Sequence, residues 1–289
     1  MKKPGNLTRI VLHAMLLFLL FPSTVAAQES GPCDGVVRIL AVGNSFSRDA
    51  IEQNLYEIAA AAGVKCEIGN LYVGGCSVER HVENLRTDAA MYEYRHIYPD
   101  GRIVDTPGVT MREGLCSAEW DYVSVQQASH FSGFYDTYAL LPELMEYIRA
   151  HCPTAEIVFH QTWAYAADSD HEGFAGYDRD QQTMYQAIMT VVERVATENG
   201  IRKVIPAGTA IQNARATVIG DHLNRDGYHL NALGRYIAAC TWAEALLGVD
   251  VRGNEYESPL CDRESQLAGQ QAAHAAVANP YSVTLCCRP

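Results

Sequence analysis

A serine, a histidine and an aspartate in two widely separated segments are the residues of this chain with concerted chemistry open to them. Ser45 stands in Gly43-Asn44-Ser45, where the apolar run from Val36 to Val42 stops and a helical pattern begins. A serine hydroxyl is a weak nucleophile at neutral pH. It needs a general base within hydrogen-bond reach and a third group to orient that base. Asp226-Gly227-Tyr228-His229 offers both on one short loop, because an aspartate three residues before a histidine can fold back and accept the Nδ1 hydrogen. The oxyanion formed by such an attack needs donors. Ser45 N–H is the first. Gly75 (or Gly74) is the second, where the missing side chain lets the backbone approach a substrate. A side-chain amide at Gln126 or Gln127 is the third, with Gln127 favoured because Gln126 continues the alternation of the preceding strand. Asn44, Gln126 and Trp163 are candidate substrate contacts. Trp163 and Tyr165 lie in one loop, where they either wall a pocket or pack into the core.

Other polar clusters weigh less. His160 is a rival base, but no aspartate stands near it in sequence, and it reads as a strand-end histidine satisfied by backbone. Asp168, Asp170, His171 and Glu172 match no ligand spacing and read as a solvated acidic loop. The absence of a CxxC or Cys/His cluster argues against structural zinc. Neither a metal nor a cofactor is expected.

These residues must be positioned by a sheet. The run Val36–Val42 is apolar enough for a strand buried on both faces, which places ligand chemistry at its carboxyl end. A helix is predicted over 49–62, a strand over 66–73, a helix from the Ser77 cap to about Leu85, and a short helix over 110–120. Strands over 121–125, 156–161 and 203–206 alternate with helices over 138–151 and 178–199, a helix or turn over 209–217, and a last helix over 231–247. Strand–helix alternation predicts a parallel sheet with helices on both faces. Tyr92 to Thr106 breaks the alternation with a hairpin pattern, and the Tyr92/Tyr94/Tyr98 stripe reads as its packed face rather than a sugar platform. The domain is expected over 34–248, with 249–289 an extension that packs on it through an Ala-rich helix near 264–278.

Composition narrows the function classes. The formal net charge is −12, and removal of a leader holding Lys2, Lys3 and Arg9 would make it −15. A protein this acidic is a poor ligand for nucleic acid or anionic membrane. Residues 1–27 combine that basic start, the apolar run Ile10–Phe21 and the small residues Val25-Ala26-Ala27, the pattern of a secretory signal peptide cut before Gln28. A secreted or periplasmic location follows as an expectation, with no stable membrane insertion after cleavage. Export permits disulfides, and the odd count of nine cysteines leaves at least one unpaired within the chain. Cys66 and Cys152 read as buried thiols, and Cys261 with Cys286 or Cys287 as a staple for the tail.

The motifs carry a family resemblance. Gly43-Asn44-Ser45-Phe46-Ser47 resembles the first block of SGNH (GDSL-like) hydrolases, with Asn where that block has Asp; Gly74-Gly75 falls at the block-two glycine, and Asp226-x-x-His229 looks like the last block. VGNSFS, WDYVSVQQAS and DGYHLN-x-x-GRY look like a bacterial branch of that superfamily labelled by unknown function. The resemblance implies a flavodoxin-like three-layer sandwich around a five-stranded parallel sheet, with the hairpin near 92–106 as an insertion. It also implies carboxylic ester hydrolysis without a cofactor, often removal of acetyl from carbohydrate. The chain departs at the third block, where Gln126-Gln127 stands in place of the usual asparagine donor. The expected partner is a small-molecule or glycan ester. A lipase or thioesterase of the same superfamily is the alternative enzyme. A carbohydrate-binding protein with a vestigial triad is the alternative from another class.

Overall fold

The computed structural model describes Met1 and residues 34–284. The expected leader and the expected partners of Cys261 fall outside the described residues. The sheet has seven strands: β1 (Val36–Gly43), β2 (Lys65–Tyr72), β3 (Tyr92–Ile97), β4 (Ile103–Val109), β5 (Tyr122–Val125), β6 (Glu156–His160) and β7 (Val204–Ile205). Their order is β4-β3-β2-β1-β5-β6-β7. Five strands are parallel, as expected, and the β3–β4 hairpin extends the same sheet antiparallel beyond β2. The apolar run of β1 makes it the central strand: Ile39, Leu40, Ala41 and Val42 are buried, and Ile39 lies in register with both Ile68 and Tyr122.

The helices are α1 (Ser45–Ile51), α2 (Leu55–Ala61), α3 (Val78–Thr87), α4 (Met111–Leu115), α5 (Leu141–His151), α6 (Gln181–Glu198), α7 (Ala207–Arg215), α8 (Ala232–Leu247) and α9 (Arg263–Ala278). One packed group comprises α1, α2, α7, α8 and α9; a second comprises α3, α4 and α5. The Ala-rich α9 lies on α7 and α8, with Ala272, Ala273 and Ala276 fully buried. Among the described residues no helix is long and apolar enough to cross a membrane.

Three local outcomes differ from the sequence reading or sharpen it. The helix expected over 49–62 is two helices, because Asn54 takes a left-handed φ of 68° and interrupts the ladder. The hairpin tyrosines pack inward: Tyr92 is fully buried with its hydroxyl 2.9 Å from His81 Nδ1, and the Tyr94 hydroxyl lies 2.7 Å from Ser117 Oγ. Cys66 and Cys152 are buried free thiols, and burial pushes them up to about 12 and about 11.

Candidate active site

All five parallel strands run toward one rim, and Ser45 begins α1 there. It is the first residue of that helix, so its N–H has no partner inside the helix. Asn44, Phe46 and Ser47 around it are buried, while Ser45 keeps partial exposure. Asn44 is the N-cap: Oδ1 accepts from Phe46 N–H at 3.0 Å and from Gln126 Nε2 at 2.8 Å. Its Nδ2 donates to the Cys76 carbonyl at 2.9 Å and to the Gln127 carbonyl at 3.4 Å. Both lone pairs and both hydrogens are thereby committed. Asn44 therefore ties the ends of β1, β2 and β5 together and is not available as a substrate contact.

The expected base and its orienter stand on one loop. Asn224 and Leu230 form an antiparallel bridge, and Arg225 N–H donates to His229 O at 2.9 Å, so residues 226–228 form its tip. Gly227 supplies the φ of 84° that this tip requires. Asp226 Oδ1 accepts from the N–H groups of His229 and Tyr228 at 2.8 and 3.2 Å, and Oδ2 accepts the Nδ1 hydrogen of His229 at 2.7 Å. Because an ionised carboxylate only accepts, this bond fixes the Nδ1–H tautomer and leaves Nε2 as a base. Burial alone would raise the Asp226 carboxyl, but the bonds from the His229 ring and the two backbone N–H groups outweigh it and hold it below the usual carboxylate range.

Two contacts join this loop to α1, the helix that Ser45 begins. The Phe46 ring centroid lies 6.2 Å from that of His229. Asp49, one turn into α1, accepts from Leu230 N–H at 2.8 Å, from Arg225 at 2.9 Å and from Arg235 of α8 at 2.8 Å. Asp49 is a fully buried carboxylate, and residues nearly two hundred positions downstream neutralise it. The sequence reading missed it, since only the fold brings its partners near.

Trp163 corrects another expectation. It is fully buried, so it walls no pocket; its ring stacks on Phe46 with centroids 4.1 Å apart, and its Nε1–H donates to Tyr228 O at 2.8 Å. It is a strut between the neighbour of Ser45 and the neighbour of His229. Tyr165 is buried as well, its hydroxyl 2.8 Å from Ser129 Oγ. His171, expected in a solvated acidic loop, instead packs on Tyr228 and Tyr165, with centroids 4.7 and 4.8 Å away. Burial and then the nearness of His229 lower its pKa. Tyr228 and His171 thus form an aromatic wall beside the imidazole.

Neither glutamine amide expected as a third oxyanion donor is free to serve as one. Gln127 is buried: its Nε2 donates to the Thr137 carbonyl and hydroxyl at 2.9 and 3.1 Å, and its Oε1 accepts from Val78 and Ala128 N–H. Gln126 is buried too, and it belongs to a relay rather than to a substrate site: His160 Nδ1–H donates to Gln126 Oε1 at 2.7 Å, and Gln126 Nε2 donates to Asn44. The partner of His160 is therefore a side chain, not the backbone expected. Gly75 remains: it is exposed at the rim with φ 61°, a conformation suited to glycine.

The relay gives a pH prediction. Burial holds both His160 and His81 down to about 3, against the ordinary 6.5. An unfolded chain binds those protons first, so the stability they confer is full above pH 6.5 and is lost as pH falls toward 3. At pH 5 each histidine is expected to cost about 2 kcal/mol relative to pH 7.5. Denaturant titrations at the two pH values check this, and His160→Gln should shrink the difference.

Fold and site together define an α/β protein with a parallel-sheet core, in which a strand-end serine shares the rim with an Asp–His pair. The chain belongs to the family described as a domain of unknown function, DUF4886, whose match runs over residues 38–276. The crystal structure of a DUF4886 family protein from Bacteroides uniformis is 50% identical, with a TM-score of 0.85 over 86% of this chain and 97% of that one. An acetylxylan esterase from Geobacillus stearothermophilus is similar at 14% identity and a TM-score of 0.49, over 74% of this chain and 95% of that one. A lipase/acylhydrolase from Enterococcus faecalis is similar at 15% identity and a TM-score of 0.47, over 73% and 96%. No curated protein matches the chain.

Proposed function

We propose that this protein is a secreted serine esterase that removes acetyl groups from carbohydrate. The observation that carries the reading is the tautomer-fixing bond from His229 to Asp226 on a loop clamped to the helix that Ser45 begins. In the proposed reaction Ser45 Oγ attacks the ester carbonyl while His229 Nε2 takes its proton. The tetrahedral oxyanion is held by Ser45 N–H and Gly75 N–H. The alcohol leaves with the proton from His229, giving an acyl-serine. Water then attacks this acyl-serine, His229 again takes the proton and returns it to Ser45, and the acid departs. Loss of one oxyanion donor typically costs about 10²- to 10³-fold in rate, so two backbone donors without the side-chain amide give a slower enzyme, not an inert one.

The test is covalent. Incubation with a fluorophosphonate is expected to label one residue, Ser45, as mapped by peptide mass spectrometry, and the protein should turn over p-nitrophenyl acetate. Absence of both labelling and turnover would leave a binding protein on this scaffold.

A further inference from the structure

Ser45, Arg48 and Glu52 lie at i, i+3 and i+7 on α1 and its C-cap, so they share one face. Arg48 and Glu52 of that face line one side of a cleft of about 270 Å³, and Glu93, Arg95, Asp105 and Thr106 of the β3–β4 hairpin line the other. The cleft reaches the rim. Glu93 is in register with Tyr72, the last residue of β2. The Arg48 guanidinium lies 4.0 Å from the centre of the Tyr72 ring, and the Tyr72 hydroxyl is 3.3 Å from where a Cβ on Gly74 would stand. Arg48 of the cleft wall thus touches Tyr72, whose hydroxyl lies against Gly74, the neighbour of the Gly75 proposed as an oxyanion donor.

Its lining alternates in sign. Arg48 bonds Glu93 at 3.0 Å, Arg95 bonds Asp105 at 2.7 Å, and Arg95 reaches Glu52 at 3.2 Å. An acyl chain lying here would strip water from five charged groups and return no hydrogen bonds. An anionic ligand would face three carboxylates, and a cationic one two guanidiniums. A neutral ring bearing several hydroxyls fits both kinds of neighbour, since each hydroxyl donates to a carboxylate and accepts from an arginine fork.

We infer that the cleft between α1 and the β3–β4 hairpin is the subsite for the alcohol part of the ester, and that this part is a neutral sugar unit. The inference rests on the esterase reading above, and the experiment separates the two. The Thr106→Trp variant fills the cleft from an exposed hairpin position, and Glu93→Ala removes one acceptor. The probes are acetylated oligosaccharides of xylose, glucose and mannose, beside p-nitrophenyl acetate and p-nitrophenyl octanoate. For the best sugar ester, the ratio of its kcat/KM to that of p-nitrophenyl acetate is expected to fall at least tenfold in Thr106→Trp and about threefold in Glu93→Ala. Equal ratios in all three proteins, or preference for the octanoate over every sugar ester, would overturn the subsite. Calorimetry on Ser45→Ala reads binding without turnover. Sugar-ester binding that Thr106→Trp abolishes supports the subsite even if the wild type hydrolyses nothing, which would sink the esterase reading alone. Failure of all three sugar esters to bind Ser45→Ala would overturn the subsite.

Discussion

Ser45→Ala and His229→Ala are each expected to lower kcat for p-nitrophenyl acetate by at least about 10³-fold, and the double variant to be no slower than the worse of the two. The non-additivity is the informative part. Once the hydroxyl is gone, a base has no nucleophile to activate, so its removal costs nothing further. Two independent contributions would multiply. Asp226→Asn tests the same unit from its other end. The Asp226 carboxylate accepts three hydrogen bonds, one of them from the imidazole. An amide in its place offers hydrogens where the ring also has one, which favours the tautomer with its proton on Nε2. That nitrogen then cannot accept from Ser45, and kcat should fall by about 10³- to 10⁴-fold with the fold intact. Fluorophosphonate labelling of Ser45 should slow in parallel, and near-wild-type labelling in His229→Ala would contradict the assignment of the base.

What was legible in the sequence was what local pattern encodes. β1 announced itself through an apolar run interrupted only by Arg38, and its end placed Ser45 at the rim. Asp226 and His229 were visible because three residues of spacing suffice for one side chain to reach the other. The break at Asn54 was hidden, because Ile51, Leu55 and Ile58 keep helical spacing across it while a single positive φ interrupts the ladder. Gln127 misled for a similar reason. Strand alternation ceases to govern side-chain direction once the strand has ended at Val125, and the amide turned to Thr137 instead. Trp163 is a large amphipathic residue in a long loop, a description that fits a pocket wall and a buried strut equally. Only the stacked Phe46 and the Tyr228 carbonyl decide between them.

Asp49 carries the largest expected effect on stability. Its carboxylate is fully buried and faces Arg225, Arg235 and the Leu230 N–H, so three donor groups from the His229 loop and α8 converge on two oxygens. Asp49→Ala strips the counter-charge from two guanidiniums and leaves a buried amide hydrogen without its acceptor. Truncating one partner of such a cluster costs about 3–5 kcal/mol. At 2–4 °C per kcal/mol for a domain of this size, Tm should fall by roughly 10 °C. Asp49→Asn keeps the shape and one acceptor but loses the charge, so its loss should be smaller. The clamp also predicts a functional signature that a merely stabilising residue would lack. Asp49 joins α1, which Ser45 begins, to the loop that carries His229. Below its melting temperature, Asp49→Asn should therefore lose kcat more than it raises KM, and Ser45 should label more slowly. A variant that melts early yet keeps the wild-type kcat at 20 °C would show that the clamp holds the fold together without positioning the nucleophile against its base.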